Sequence, residues 1–315
     1  MKKKFDILVI GELNVDLILN RLESFPETGK EKLADEMVLT LGSSAAIFAS
    51  NLSSLGTRVS FIAKTGNDVF GRFCIEQLEE KGVDTSMLIQ ADNLKTGATV
   101  ILNYGEDRAM ITHQGAMKHL SMQDITAGML DTARHLHFSS YFLQPGFKNE
   151  LHSLFKMAKR AGLTTSLDIQ WDPAERWDFD YKKTLPYVDI FLPNEVELLN
   201  LTRKDSIKEA IEAIDGYGKL VLVKKGNDGS LLYYNKKIIN ARPFLNEQVV
   251  DAIGAGDSFN AGFVFRFVNG FAPEDCQVFG NLMGAVSTTG AGGTGAFKDY
   301  PQTMKIAKEK FGYEE

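Results

Sequence analysis

The sequence predicts an α/β domain built around a largely parallel sheet. From about residue 134 onward, short apolar runs alternate with stretches of helical spacing. Strands and helices that alternate at these lengths require right-handed crossovers and therefore parallel strands. The chain has 315 residues, of which 44% are hydrophobic, so it can bury a sizeable core without disulfides. A polar segment over residues 20–39 lies outside the alternation and predicts an excursion from the core or a small strand pair.

The first half of the chain is expected to begin with a strand at Asp6–Ile10, closed by Gly11. Small and apolar residues recur at helical spacing over Ala45–Leu55, and Gly56 is a typical C-terminal stop. The other elements expected here are a strand at Val59–Lys64, a helix at Gly71–Lys81, and a hairpin of Gly97–Tyr104 and Ala109–Thr112 around Gly105-Glu106-Asp107-Arg108.

The second half supplies the alternation itself. Strands are expected at His135–Ser139, Thr164–Ile169, Ile190–Pro193 and Leu220–Lys224, and helices at Asn149–Ala161, Glu195–Leu201 and Ser206–Tyr217. A second hairpin, Leu231–Tyr234 with Lys237–Asn240, and two apolar helices, Ser258–Val268 and Glu274–Thr288, complete the set. We therefore expect one α/β domain over residues 1–315, with a strand-rich appendage drawn from about 12–40 and 95–115.

Composition and charge exclude several classes of protein. Lys and Arg number 35 against 41 Asp and Glu, so the net charge is −6 and the basic stripe typical of a nucleic-acid binder is missing. No run of about 18 uninterrupted apolar residues occurs, so we expect no membrane span. The two cysteines, Cys74 and Cys276, lie far apart, and the charged start of the chain does not resemble an export signal. We therefore expect a cytoplasmic protein.

The strongest local motif is a glycine-rich turn that runs into a helix at Gly254-Ala255-Gly256-Asp257. Glycines let the backbone turn tightly, so that several N–H groups point into one space, and the helix start adds partial positive charge. The motif predicts an anion site in which the amides hold a transferring phosphoryl group and Asp257 takes a proton from the attacking hydroxyl. The alternative is that Asp257 is an ordinary first-turn residue of a helix.

Other nucleotide motifs are absent or out of context. No Walker A motif and no protein-kinase motif occurs. Gly290–Gly295 matches Gly-x-Gly-x-x-Gly, but it follows a helical stretch near the end of the sequence. That context favours a plain glycine-rich loop over a dinucleotide site.

Taken together, the motifs resemble those of the ribokinase (PfkB) family of carbohydrate kinases over almost the whole chain. They come in family order: Gly11–Asp16, Gly42–Ala46, Leu55-Gly56, Gly66–Gly71, Gly82–Thr85, Thr96-Gly97, Gly105–Arg108, Asn194–Glu197, Lys225–Gly229 and Gly254–Asp257. Each motif alone is weak. The ordered set is specific for the family and says little about the substrate.

The resemblance implies a ribokinase-like three-layer α/β/α sandwich with a small β-sheet lid. It implies an enzyme that transfers the γ-phosphoryl group of ATP to a hydroxymethyl group of a neutral sugar such as ribose or fructose. Asp257 would be the general base, and the amides of Gly254, Ala255 and Gly256 would form the anion hole. A nucleoside kinase on the same fold and a catalytically silent sugar- or nucleotide-binding relative are the alternatives.

The resemblance also assigns binding residues. Asn14 and Asp16 would take hydrogen bonds from sugar hydroxyls, and Gly42 and Ser43 would let a helix start approach the sugar. Asp16 as an exposed turn residue is the alternative. The residues implied for the nucleotide are Lys224, Gly226, Gly229 and Asn281, the last of which lies on a helix that could equally be a packing surface.

Asn194 and Glu197 match the family's Asn-x-x-Glu motif. The resemblance implies that they form a binding site for Mg²⁺ and the phosphates, with some contacts through water. Their spacing places both on one face of a helix start, so an N-cap with a capping carboxylate is the alternative. Parts of the family carry a K⁺ site, which would fall here at Asp251 and Ile253. Family members also dimerise through the lid, and the outward apolar positions expected for this are Val38, Leu39, Val100 and Leu102.

Several positions depart from the family pattern. Ile47 stands where the family has an Asn that contacts the substrate, and Ala252 where a hydroxyl residue follows the Asp of the anion-hole motif. After Asp168, Gln170 and Asp172 replace the Asn and Arg of a strand-end Asp-x-Asn-x-Arg pattern. Loss of that Arg disfavours a phosphosugar or keto-acid acceptor, although Arg176 offers a replacement in sequence.

Overall fold

A computed structural model describes residues 3–104 and 107–314. In chain order its strands are β1 (Ile7–Ile10), β2 (Asn14–Asn20), β3 (Glu36–Leu41), β4 (Val59–Ile62), β5 (Lys64–Gly66), β6 (Ile89–Ala91), β7 (Gly97–Tyr104), β8 (Asp107–His113), β9 (His135–Ser139), β10 (Thr164–Asp168), β11 (Ile190–Phe191), β12 (Leu220–Lys224), β13 (Ser230–Tyr234) and β14 (Lys237–Ala241).

The α-helices lie between and after these strands. They are α1 (Ser44–Ser54), α2 (Val69–Glu80), α3 (Ala127–Leu130), α4 (Leu151–Arg160), α5 (Tyr181–Thr184), α6 (Glu195–Thr202), α7 (Ile207–Ile214), α8 (Ala255–Val268), α9 (Pro273–Ser287) and α10 (Tyr300–Phe311). Short 3-10 turns occupy Gly115–His119, Met122–Asp124, Tyr141–Leu143, Pro145–Phe147, Leu185–Tyr187 and Gly226–Asp228. None of the helices in the described ranges is long and apolar enough to cross a membrane.

The main sheet has the strand order β14-β13-β12-β11-β10-β9-β1-β4 within the described residues. Neighbours from β12 to β4 are parallel, and β13 and β14 add an antiparallel edge. The largely parallel sheet predicted from the sequence is therefore confirmed. Because parallel strands end at one edge, the residues that follow β1, β9, β10, β11 and β12 lie close together there.

Helices cover both faces of this sheet. Side chains alternate along β1, so Leu8 and Ile10 join one buried cluster while Val9 joins the other. The first cluster includes Phe155 of α4, and the second includes Phe263 of α8. The three-layer α/β/α arrangement predicted from the family resemblance is therefore confirmed.

A smaller sheet forms the lid, with strand order β3-β2-β7-β8. The polar segment 20–39 is thus part of a strand pair, since β2 and β3 are antiparallel, and β2 is parallel to β7. Strands β7 and β8 form the predicted hairpin, although Gly105 and Glu106 of its turn lie outside the described residues. The expected outward position of Leu102 is wrong: it is 8% exposed, on an inner strand flanked by β2 and β8, whereas Leu39 is 36% exposed.

Helix α10 is not among the elements that the sequence predicts. Asp299 caps it by accepting a hydrogen bond from the Gln302 amide, and the helix buries Thr303 and Ala307. Only two buried positions in twelve residues give a weak helical pattern. The helix packs into a third cluster that includes Phe279 and Phe297.

Candidate active site

A cavity of about 540 Å³ lies where the carboxyl edge of the main sheet faces the lid. Residues predicted for the substrate and for the anion hole line it together: Asn14, Asp16, Ser43, Gly254, Ala255, Gly256 and Asp257. The lid contributes Thr99, Ile101, Arg108, Met110 and Thr112. Segments far apart in sequence therefore enclose one space.

The glycine turn at the start of α8 packs tightly against the chain beneath it. Gly254 has φ 73°, and a Cβ on it would lie 3.1 Å from Cγ2 of Ile47 and 2.9 Å from Cα of Gly293. Both the left-handed backbone and the lack of space require glycine there. The Ala255 amide makes only a long hydrogen bond, 3.3 Å, to the carbonyl of Ala252. The first-turn amides of α8 thus lie at the cavity with little competition from the helix itself.

Asp257 is buried at the floor of the cavity, in the first turn of α8. Its Oδ1 accepts a hydrogen bond of 2.9 Å from Nε2 of Gln170. Burial, together with the nearby charge of Asp168, raises its pKa to about 7, although Lys224 acts in the opposite direction. A carboxylate with this pKa can accept a proton near neutral pH and release it again.

Lys224 lies among a cluster of buried carboxylates that includes Asp257. The Nζ of Lys224 lies 2.6 Å from Oδ2 of Asp168, which also accepts from Asn260. Burial favours the neutral amine, but the charges of Asp168, Glu197 and Asp257 outweigh it and raise the pKa of Lys224. Burial and the charge of Asp168 raise the pKa of Glu197 to about 7. The cluster carries more negative than positive charge, so it favours a bound cation.

The wall beneath the lid carries hydrogen-bonding groups. Nδ2 of Asn14 donates to Oδ1 of Asp16 at 3.0 Å and to Oγ1 of Thr99 at 3.2 Å. Burial raises the pKa of Asp16 to about 6, against the hydrogen bonds from Asn14 and Thr99. Asp16 is 8% exposed, so the exposed-turn alternative is wrong. A Cβ on Gly42 would overlap both Asn14 and Asp16, so Gly42 supports them from one side.

Ser43 is committed to the start of α1. It has φ 73°, its hydroxyl accepts from the Ala46 amide and donates to the carbonyl of Glu12. Ser43 therefore lines the cavity, but its hydroxyl is already hydrogen-bonded within the protein. Contact between Ser43 and a substrate stays a prediction.

A second cavity, of about 650 Å³, adjoins the first. All four residues predicted for the nucleotide line it: Lys224, Gly226, Gly229 and Asn281. Lys224, Gly226, Ala252, Ala255 and Gly256 line both cavities, so the two meet at the glycine turn. Nδ2 of the Asn281 side chain donates to the carbonyl of Arg242 at 3.1 Å, which fixes the orientation of this side chain at the wall.

Asn194 and Glu197 line the first cavity and also form a capping box at the start of α6. The Asn194 amide donates to Oε2 of Glu197 at 2.8 Å, Nδ2 donates to Oε1 at 2.7 Å, and the Glu197 amide donates to Oδ1 of Asn194 at 2.8 Å. The capping alternative is thus confirmed, and direct ligation of a metal would compete with it. No group of three or more His, Cys, Asp and Glu residues in the described ranges could hold a metal ion. These residues fit Mg²⁺ held through water and phosphate oxygens, and do not fit an all-protein cage.

Asp251 joins two loops rather than standing free. Its Oδ1 accepts from the Ile253 amide and its Oδ2 from the Gly292 amide, each at 2.9 Å. The loop over 290–295 follows α9 and supports the glycine turn. The Asn51 side chain holds this loop in turn by donating to the carbonyl of Gly293. This confirms the plain-loop interpretation, while a K⁺ site at Asp251 and Ile253 stays a prediction.

Three lining or supporting residues are absent from the sequence-based site. Glu12 follows β1, and its Oε1 accepts from the Ala45 amide while burial raises its pKa. Asn260 lies three residues after Asp257, on the same face of α8, and that spacing was an available signal. Trp171 is 48% exposed at the cavity and packs edge-on against Trp177 at 5.2 Å.

The loop after Gln170 turns its charged residues away from the cavity. The Asp172 carboxylate is buried and accepts from the backbone amides of Ala174, Arg176 and Trp177. The Arg176 side chain is exposed and is absent from the cavity lining. It therefore does not replace the arginine that the family pattern places here.

The chain is similar to known kinases over most of its length. The family model described as pfkB family carbohydrate kinase matches residues 4–299. An uncharacterized sugar kinase of Archaeoglobus fulgidus is 30% identical over 237 residues, which is 74% of this chain and 92% of that protein. A nucleoside kinase of Methanothermobacter thermautotrophicus is 27% identical over 317 residues, covering 100% and 99% of the two chains. The solved structure of Arabidopsis thaliana ribokinase complexed with ribose and ATP superposes with a TM-score of 0.82 at 25% identity, covering 96% of this chain and 99% of that chain.

Proposed function

Because the chain belongs to the PfkB family of carbohydrate kinases and is thus a sugar or nucleoside kinase, we propose that it transfers the γ-phosphoryl group of ATP to a hydroxymethyl group of a neutral sugar, with ribose and fructose as the model acceptors. Asp257 is the general base of this proposal. The amides of Gly254, Ala255 and Gly256 hold the transferring phosphoryl group.

One observation carries the proposal. Asp257 lines the first cavity with Asn14 and Asp16, and it directly follows Gly256 at the junction with the second cavity, which Gly229 and Asn281 line. A phosphoryl group that passes from a nucleotide to an alcohol must cross such a junction. A base buried there, with a pKa of about 7, is within reach of the alcohol and is largely ionised just above neutral pH.

The remaining residues have supporting roles in this proposal. Asn14 and Asp16 orient the acceptor through its hydroxyls, and Lys224 offsets negative charge beside the glycine turn, where its Nζ lies 3.8 Å from the Cβ position of Gly256. Mg²⁺ bound through water near Asn194 and Glu197 would neutralise charge on the phosphates. The lid excludes water from the acceptor and so limits wasteful hydrolysis of ATP.

A nucleoside acceptor is the second candidate, and Trp171 favours it. Its half-exposed ring lies at the same cavity as Ile47 and Met110. Such an apolar wall offers a flat face to a nucleobase, whereas a bare pentose presents mainly hydroxyls. For a nucleoside, Trp171→Ala should raise the acceptor KM about 5- to 100-fold, while Trp171→Phe should keep most of the affinity.

The test is a panel of pentoses, hexoses and nucleosides in an assay that couples ADP release to a colour change. With the best acceptor, Asp257→Asn and Asp257→Ala should each lower kcat by about 10²- to 10⁴-fold. Binding of ATP, followed by calorimetry, should persist in both variants. Wild-type turnover by Asp257→Ala would refute the assignment of the base, and binding of sugars without any ADP release would favour a silent binding protein.

A further inference from the structure

Gln170 hydrogen-bonds to two carboxylates that come from different elements of the fold. Its Nε2 donates to Oδ1 of Asp257 at 2.9 Å and to Oδ2 of Asp168 at 3.1 Å. Asp168 ends β10 and Asp257 lies in the first turn of α8, 87 residues after Gln170. The two hydrogens of one amide group therefore connect the main sheet to the helix that carries the proposed base.

The backbone holds Gln170 in an unusual conformation for this purpose. Its φ is 60°, in the left-handed region, where a residue with a long side chain is disfavoured by about 1–2 kcal/mol. The Gln170 amide donates to Oδ1 of Asp168 at 3.1 Å, so the carboxylate that receives the side chain also anchors the main chain. Strain of this kind persists only where the surrounding contacts hold the residue in place.

The length of the side chain matters. Asn also adopts a left-handed backbone readily, and an Asn stands at this position in the family pattern. Asn is one methylene shorter than Gln, so its amide would fall short of at least one of the two carboxylates. The glutamine of this chain is therefore suited to a bridge between Asp168 and Asp257.

We infer that Gln170 is a positioning residue that holds the Asp257 carboxylate by Oδ1 and leaves Oδ2 for the proton of the acceptor, an inference that rests on the proposed function. An N–H donor stabilises the ionised form of a carboxylate, and it also separates two like charges. The ionisable or polar groups that face Asp257 from the surrounding elements are Glu12 after β1, Ser44 in α1, Asp168 on β10, Glu197 in α6 and Lys224 on β12, and the Ser44 hydroxyl is a second hydrogen-bond partner of the Asp257 carboxylate.

The contact between Gln170 and Asp257 can be removed with little effect on the backbone, and a matched control is available in the same loop. Gln170→Gly removes the amide group and suits the left-handed backbone, so we expect it to fold. Glu175→Gly is the control, because Glu175 lies in the same loop with φ 52° and an exposed side chain that is absent from the cavity lining. Thermal unfolding and ATP binding establish that both variants are folded.

In the wild-type background, Gln170→Gly should lower kcat by about 10- to 100-fold, with the acceptor KM within about 2-fold of wild type. Glu175→Gly should leave both constants unchanged. In an Asp257→Asn background, Gln170→Gly should have no further effect, because its partner no longer acts as a base. A wild-type kcat in Gln170→Gly, or the same fold-loss in both backgrounds, would overturn the inference.

A measurement without turnover separates this inference from the proposed function. The pKa of Asp257 can be followed by NMR of its side-chain carboxyl carbon in the protein without ligands. This pKa should rise in Gln170→Gly. It should rise further in Gln170→Glu, which adds a third carboxylate beside Asp168 and Asp257. An unchanged titration in Gln170→Gly would overturn the positioning role. If the titration moves but no acceptor on the panel is phosphorylated, the proposed function fails while the contact between Gln170 and Asp257 stands.

Discussion

Lys224 and Asp168 form a buried ion pair in which Nζ lies 2.6 Å from Oδ2, with side chains 11% and 0% exposed. Each partner also serves another part of the site. Lys224 ends β12 and lines both cavities. Asp168 ends β10 and accepts hydrogen bonds from Gln170 and Asn260. Charges buried this deeply are stable only when they are paired. The pair therefore links the stability of the fold to the arrangement of the site.

Lys224→Met should destabilise the protein by about 3–5 kcal/mol, because it leaves the Asp168 carboxylate buried without its cation. The measurement is urea unfolding at neutral pH. The control is Lys148→Met, which removes a partner of the exposed pair with Asp178 and should leave the unfolding midpoint unchanged. Equal midpoints for Lys224→Met and wild type would show that Asp168 finds another partner or a proton.

Glu197→Gln tests the magnesium role of the capping box. Gln keeps one acceptor oxygen for the Asn194 backbone amide but cannot also accept from Nδ2 of Asn194, so helix α6 should keep its start at a small cost while the buried charge is lost. We expect the Mg²⁺ concentration for half-maximal turnover to rise about tenfold, with the unfolding midpoint near that of wild type. Glu195→Gln, two residues earlier in the first turn of α6, is the matched control and should leave the Mg²⁺ requirement unchanged. An unaltered requirement in Glu197→Gln would limit Glu197 to capping.

Two buried histidines stay neutral in the fold, so their own contribution to stability should be lost in acid. Burial lowers the pKa of His135 to about 3 and also places that of His137 well below its usual value. The unfolded chain takes up these protons below about pH 6.5, so the stabilising contribution is complete above that pH and is lost as the pH falls toward 3. The raised pKa values of Asp257, Glu197 and Asp16 act in the opposite direction over the same range, so the histidine contribution is measured by comparing wild type with a histidine variant in urea unfolding between about pH 7.5 and 4.5.

His137→Gln should reduce the slope by about 1.4 kcal/mol per pH unit below pH 6, because one titrating group is removed. The His137 ring stacks on Phe48 with centroids 3.7 Å apart, so the variant should also be less stable at neutral pH. The difference in slope, rather than the difference in stability, is the measurement that reports on protonation. Parallel curves for the two proteins would contradict the prediction.

The sequence predicts elements well where the pattern is local. Strand β9 is observed at His135–Ser139, as expected, and all five of its residues are buried. Strand β2 was not predicted as such, because its partner β7 lies about 80 residues away and its first residues belong to a binding motif. Likewise, residue spacing identifies Asp257, but it cannot reveal that Gln170 reaches it, because that contact depends on how β10 and α8 pack.

Ile47 shows why a departure from the family pattern need not be a loss. Its side chain is 3% exposed, and its methyl groups lie 3.1 and 3.2 Å from the Cβ position of Gly254 and 2.9 Å from that of Gly293. Ile47 thus packs against the backbone of the glycine turn and of the loop that supports it. The family resemblance alone, in contrast, implies only that a substrate contact is missing.

Replacing Ile47 by the Asn of the family should therefore harm this chain rather than improve it. Ile47→Asn places an amide in an apolar contact and should cost about 1–3 kcal/mol of stability, with weaker ATP binding because the glycine turn loses its support. Ile47→Val, which keeps an apolar side chain, should cost about 0.5–1.5 kcal/mol and leave ATP binding close to wild type. Urea unfolding and calorimetry measure the two effects. A tighter acceptor KM in Ile47→Asn, at wild-type stability, would show instead that this cavity-lining position favours a polar side chain and that the turn is supported by other residues.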